Sequence, residues 1–61
     1  MIVLQLVVSI DGLGNEGQHV AVDPEKSPVC GDWVLTQEDG DLRFCRFVDG
    51  LDHMGAVIGV H

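Results

Sequence analysis

His53 and His61 lie eight residues apart in one extended stretch, so they share a face but sit about 26 Å from each other if the strand is straight. They cannot hold one ion between them. His19 is free to approach either, yet no CxxC or similar ligand pair accompanies it, and no metal centre is expected. A nucleophile needs a base within hydrogen-bond reach. Cys45 stands between Phe44 and Arg46, on the strand face it shares with Arg43 and Phe47. A neighbouring arginine can activate a thiolate, although ordinary packing is the commoner reason for such a cysteine. Ser27 follows the lone Lys26 in a turn flanked by Pro24 and Pro28, with no group to orient it. The paired acids, Glu38 with Asp39 and Asp49 with Asp52, fall in turns, where exposed carboxylates make poor general acids or bases. Residues 12–17, GLGNEG, are glycine-rich, but they carry no lysine and no helix follows, so they do not read as a phosphate cradle. No catalytic residue, metal or cofactor is expected.

The elements that must carry these residues are strands. Apolar residues recur at period two, with β-branched types and glycine-rich breaks between them. Over residues 2–10, Ile2, Leu4, Leu6, Val8 and Ile10 make one apolar face, and Val3 and Val7 make the other partly apolar. A strand buried on both sides has this pattern, so the first strand is expected to be central. Further strands are expected over His19–Asp23, Asp32–Gln37, Leu42–Val48 and His53–His61, with a hairpin turn at Asp39-Gly40. The loop from Asp11 to Gly17 is expected to be the most mobile part. No helix-period stretch is present. The expected fold is all-β: a single domain over residues 1–61, as a five-stranded antiparallel meander, a small sandwich or a partly open barrel. Gly55 and Gly59 imply a close approach on one face of the last strand, by a partner chain or by the sheet itself.

A chain this short has a thin stability margin, since ordering each residue costs roughly 1.5 kcal/mol. A disulfide would help. With the hairpin about Asp39-Gly40, however, Cys45 falls opposite Val34, and Cys30 lies roughly 13 Å further along, beyond the ~7 Å α-carbon limit for a bridge. Two free thiols suit a reducing cytosol. The first ten residues lack the basic start and small-residue cleavage site of a signal peptide, and they fall far short of the ~20 apolar residues that span a bilayer. A cytoplasmic protein is expected.

Ten carboxylates face three basic side chains, Lys26, Arg43 and Arg46, for a net charge of -7. Phosphates are bound by clustered lysine and arginine, so neither nucleic acid nor an anionic membrane is a suitable direct partner. The field favours a basic protein surface. The plainer account of the acids is solubility.

From His19 onward the order of features resembles the C-terminal domain of LexA-type regulators and self-cleaving phage repressors. VDPEKSPVCGDWVLTQ is similar to that family's proline, Gly-Asp and apolar-strand element, DGDLRFCRF to its following strand, and MGAVIGV to its closing strand. The resemblance implies a β scaffold whose last strand contributes to dimerisation. The family's catalytic lysine position is Cys45 here, its Ser-Met motif is missing (Ser9 lies in VVSIDG), and these residues contain no DNA-binding domain. The resemblance therefore implies loss of self-cleavage. In size and charge the chain also resembles anti-CRISPR and other DNA-mimic proteins.

The expected function is that of a non-enzymatic acidic inhibitor from a phage or mobile element, acting in the host cytoplasm on a host protein with a basic nucleic-acid-binding surface. Glu38, Asp39, Asp41, Asp49 and Asp52 are the expected binding residues. The alternative is a catalytically dead, repressor-like dimerisation module or antirepressor. It would work as a homodimer or on a partner through a strand edge at Met54, Ala56, Val57 and Ile58. The hairpin register also fixes the redox state: thiol titration of the unfolded, unreduced chain is expected to count both cysteines, and a count near zero would disprove that register or the reducing compartment.

Overall fold

The computed structural model describes all 61 residues. The period-two pattern is realised as five strands: β1 (Ile2–Gln5), β2 (His19–Asp23), β3 (Trp33–Glu38), β4 (Asp41–Arg46) and β5 (Gly55–Val60). They form one sheet in the order β1-β2-β5-β3-β4, antiparallel at every step. The sheet curls into a half-barrel, the partly open barrel among the expected architectures. It is not a sequential meander, because the last strand returns to lie between β2 and β3.

The expectation of a central first strand is corrected. β1 is an edge strand and ends at Gln5. Leu6 closes its ladder, donating to the Gln18 carbonyl at 2.8 Å and accepting from Gly17 at 2.8 Å. The chain then folds back, with Ile10 bridged to Gly14. Ile2 and Leu4 pack on the core as the pattern requires, but the second apolar face is not buried. Val3 is 59% exposed and Val7 82% exposed. The central place goes to β5, and its first residue shows why. A Cβ on Gly55 would lie 2.6 Å from Val22 Cγ1 and 3.0 Å from the Asp23 carbonyl oxygen. The close approach that glycine permits is therefore made within the sheet.

The β3–β4 hairpin turns on Asp39 and Gly40, with φ of 51° and 85°. Two successive positive φ angles define the two-residue turn whose twist matches the strands. Its register places Val34 opposite Cys45, as expected. Inside the curl, Leu6, Val20, Val22 and Leu35 form the buried cluster, with Ile2, Leu4, Ile10, Leu13, Phe44, Val57 and Val60 packed against it. Val34 and Ala56, paired across β3 and β5, are fully buried as well. Val34 neighbours Leu35 along β3, so it faces the opposite side of the sheet. The β2–β5 register shifts between Ala21, opposite Gly59, and Val22, opposite Val57. Ile58 is the extra residue, and a bulge of this kind strengthens the local twist.

The loop of residues 11–17 is tied down at several points. Glu16 N–H donates to Ser9 Oγ at 3.0 Å, Asn15 N–H to Gln18 Oε1 at 2.6 Å, and Trp33 Nε1 to the Gly12 carbonyl at 3.1 Å. Arg46 holds Trp33 in turn: its guanidinium stacks 4.2 Å from the ring centroid and donates to the Gly31 carbonyl at 3.0 Å.

The Gly55 contact makes a stability prediction. Gly55→Ala overpacks the β2–β5 contact and should cost about 1–3 kcal/mol in urea denaturation. At Gly59 the nearest atom to an added Cβ is 3.6 Å away, so Gly59→Ala should stay within about 0.5 kcal/mol. Equal losses at both positions would contradict this packing.

Candidate binding surfaces

The turns that present the acids follow from the hairpin geometry. Glu38 and Asp41 close the β3–β4 turn as a cross-strand pair, with Asp39 at its tip. Asp49 and Asp52 lie in the segment between β4 and β5, around Gly50. All five side chains are exposed. Two others have structural duties: Asp23 Oδ1 accepts from Glu25 N–H at 2.9 Å, and Asp32 Oδ2 from Val29 N–H at 3.0 Å. The five turn acids have no such duty in the chain. Glu38 and Asp52 also line one shallow depression, together with Thr36, Arg43, Cys45 and Leu51. The second acidic segment thus folds back beside the first, and acids 14 positions apart border one surface.

The other chemically capable residues are dispersed. His19 and His61 exchange both backbone hydrogen bonds at 2.8 Å, extending the β2–β5 ladder by one pair. His53 lies outside β5, contrary to the expected strand over 53–61, and packs edge-on against Phe47 with ring centroids 5.3 Å apart. Cys30 is an exposed free thiol and Cys45 a half-buried one. Ser9 Oγ is engaged by the Glu16 amide. No group of three or more His, Cys, Asp or Glu residues converges, and no helix is long and apolar enough to cross a membrane.

A second surface was not anticipated from the sequence. β1 and β4 are the outer strands of the sheet, and a groove of about 490 Å³ separates the end of β1 and the segment that follows it from the first half of β4. Leu4, Leu6, Val7, Val8 and Ile10 line one side, and Leu42, Arg43 and Phe44 the other. Val8 is 57% and Leu42 49% exposed. The available signal was the apolarity of both faces of residues 1–10, which marks an apolar edge as well as a central strand.

No family model, curated protein or solved structure matches this chain.

The strand edge expected at Met54, Ala56, Val57 and Ile58 is corrected. β5 is hydrogen-bonded on both sides, to β2 and to β3. Ala56 is fully buried, Val57 packs on the core, and Met54 N–H donates to the Leu35 carbonyl at 2.7 Å. The side chains of Met54 and of Ile58, the bulged residue, remain exposed.

Crowding like charges at Glu38, Asp39, Asp41 and Asp52 opposes folding weakly, because exposed charges interact through solvent. Glu38→Lys should therefore raise the melting temperature slightly at low ionic strength, with the gain vanishing in high salt. A fall in melting temperature would mean that Glu38 stabilises the fold.

Proposed function

We propose that this chain is a non-enzymatic acidic binding protein that occupies a basic, nucleic-acid-binding surface of another protein. The observation that carries this reading is that one acid from each of the two turns, Glu38 and Asp52, reaches the same depression. Asp39, Asp41 and Asp49 adjoin them in the chain. A partner with clustered lysine and arginine would supply the neutralising charge, through steering and complementarity at the rim of the contact. Duplex DNA carries one charge per ~1.7 Å of axis, so several carboxylates on a short turn can stand in for a few phosphates. An inhibitor of the DNA-mimic type, carried by a phage or mobile element and directed at a host protein, is the specific form of this proposal.

Repulsion among the turn acids gives the fold nothing, and this favours a role for them in binding. The test is quantitative capture from a bacterial lysate by the wild type, by Glu38→Lys/Asp39→Lys and by Asp49→Lys/Asp52→Lys. Captured proteins should be rich in nucleic-acid binders, be displaced by duplex DNA and by salt, and be lost with both double variants while the fold is retained by circular dichroism. Capture that survives both charge reversals would end this proposal.

A further inference from the structure

The hydrogen bonding of the sheet stops at β1 and β4, and the unused groups can be assigned. Just beyond β4, Phe47 N–H donates to the Asp32 carbonyl at 2.7 Å. Antiparallel bonds recur at every second pair, so the bonded pairs are Val34–Cys45, Thr36–Arg43 and Glu38–Asp41. The backbone N–H and C=O groups of Leu42, Phe44 and Arg46 therefore point away from β3. The same alternation, counted from the Leu6–Gln18 bond at 2.8 Å, leaves the groups of Val3 and Gln5 pointing away from β2. Of these residues Gln5, Leu42 and Phe44 line the apolar groove, and Val3 and Arg46 lie beyond it along the two edges.

Direction decides what the groove can accept. Four successive antiparallel pairings separate β1 from β4, so the two edges run the same way. One added strand running opposite to them would be antiparallel to both, and would complete an all-antiparallel barrel of six. Its alternate side chains would enter the groove beside Leu4, Val8, Leu42 and Phe44. Such a strand must end where β4 begins, beside Asp39, Gly40 and Asp41. At the other end of β4 it meets Arg46, stacked on Trp33. Between the two ends Arg43 is the one charged residue lining the groove, so the apolar middle of the segment is the part that passes it. Basic residues therefore fit its C-terminal flank and are disfavoured at its N-terminal flank. A second copy of this chain is a poor occupant, because it brings a net charge of -7 to a seam already flanked by carboxylates.

We infer that the β1–β4 seam receives one extended segment of a partner protein, apolar at alternate residues and basic at its C-terminal flank. The charge of that flank rests on the acidic-binder reading; the seam itself does not.

The probes are two capped peptides of identical composition, TVTVTVKK and KKTVTVTV, titrated into the ¹⁵N-labelled chain and followed by NMR. The first should bind at least about threefold more tightly, the scale of one or two exposed charge contacts. It should shift the amides of Leu42, Phe44, Val3 and Gln5. Methylating its alternate amide nitrogens on either edge should abolish binding with the protein unchanged, and Leu42→Lys or Val8→Lys should weaken it. Equal affinity for the two peptides, with no effect of methylation and shifts confined to Glu38 and Asp52, would overturn the seam and leave the acidic-surface reading standing. Equal binding of TVTVTVEE would overturn the basic flank, and the inference with it, while the acidic-binder reading stands or falls on the capture by the charge-reversed variants. No binding by either lysine peptide at millimolar concentration would overturn the inference as well.

Discussion

Five strands that alternate in direction leave the two outermost ones running the same way, and the shape of this molecule follows from that parity. Sealing β1 directly onto β4 would require a parallel ladder, with slanted bonds and a register that neither strand's other pairings prepare. The sheet curls all the same, helped by the bulge at Ile58 and the twist it adds. Curl without closure gives a half-barrel with an apolar lining and an unsealed side. The groove between Leu4 and Leu42 is thus a consequence of strand number and direction before it is a matter of particular side chains.

The same constraint makes β5 the keystone of the chain. β1 with β2 and β3 with β4 are two-stranded units, and such units are marginal in water. β5 joins them, pairing with β2 from Val20 to Asp23 and with β3 at Val34 and Leu35. Gly55 sits where both pairings begin and where Val22 leaves no room for a side chain. A second link between the halves runs through Trp33, which donates to Gly12 in the first half while Arg46 covers its ring. Only seven of 61 residues are buried, so these two links hold much of what a larger core would otherwise secure.

Much of the fold was legible because the relevant physics is local. Asp39-Gly40 between two alternating runs determines a turn type, the turn type determines a register, and Val34 opposite Cys45 follows. Strand order is not local, and there the pattern misled. Residues 1–10 look doubly buried, yet Val3 and Val7 face outward from an edge, whereas the true central strand begins with Gly55 and Ala56, which carry little hydrophobic signal. Gly55 reported close packing within the sheet rather than a surface offered to a partner, and Gly59 reported neither. The acids at Glu38, Asp39, Asp41, Asp49 and Asp52 were identifiable as exposed turn residues. That Glu38 and Asp52 meet at one depression was not, since it depends on how the segment between β4 and β5 folds back.

Open, apolar strand edges are a hazard, because any second chain with a free edge can pair with them. Natural sheets commonly blunt such edges with charge, proline or a bulge. This chain has no proline in β1 or β4 and no charge in β1. β4 carries three charges, Asp41 at its start and Arg43 and Arg46 further along, while the whole molecule is acidic. Two copies brought edge to edge would each bring a net charge of -7, a repulsion between whole molecules that is independent of side-chain fit. A basic segment meets no such barrier and gains from the same field. On the proposed reading the acidity has two effects on one seam: it discourages pairing between copies, and it favours an extended partner whose charge lies at the end where β4 begins. Discrimination of this kind, by repelling the wrong strand as well as attracting the right one, explains how an unsealed apolar edge can persist in so small a protein.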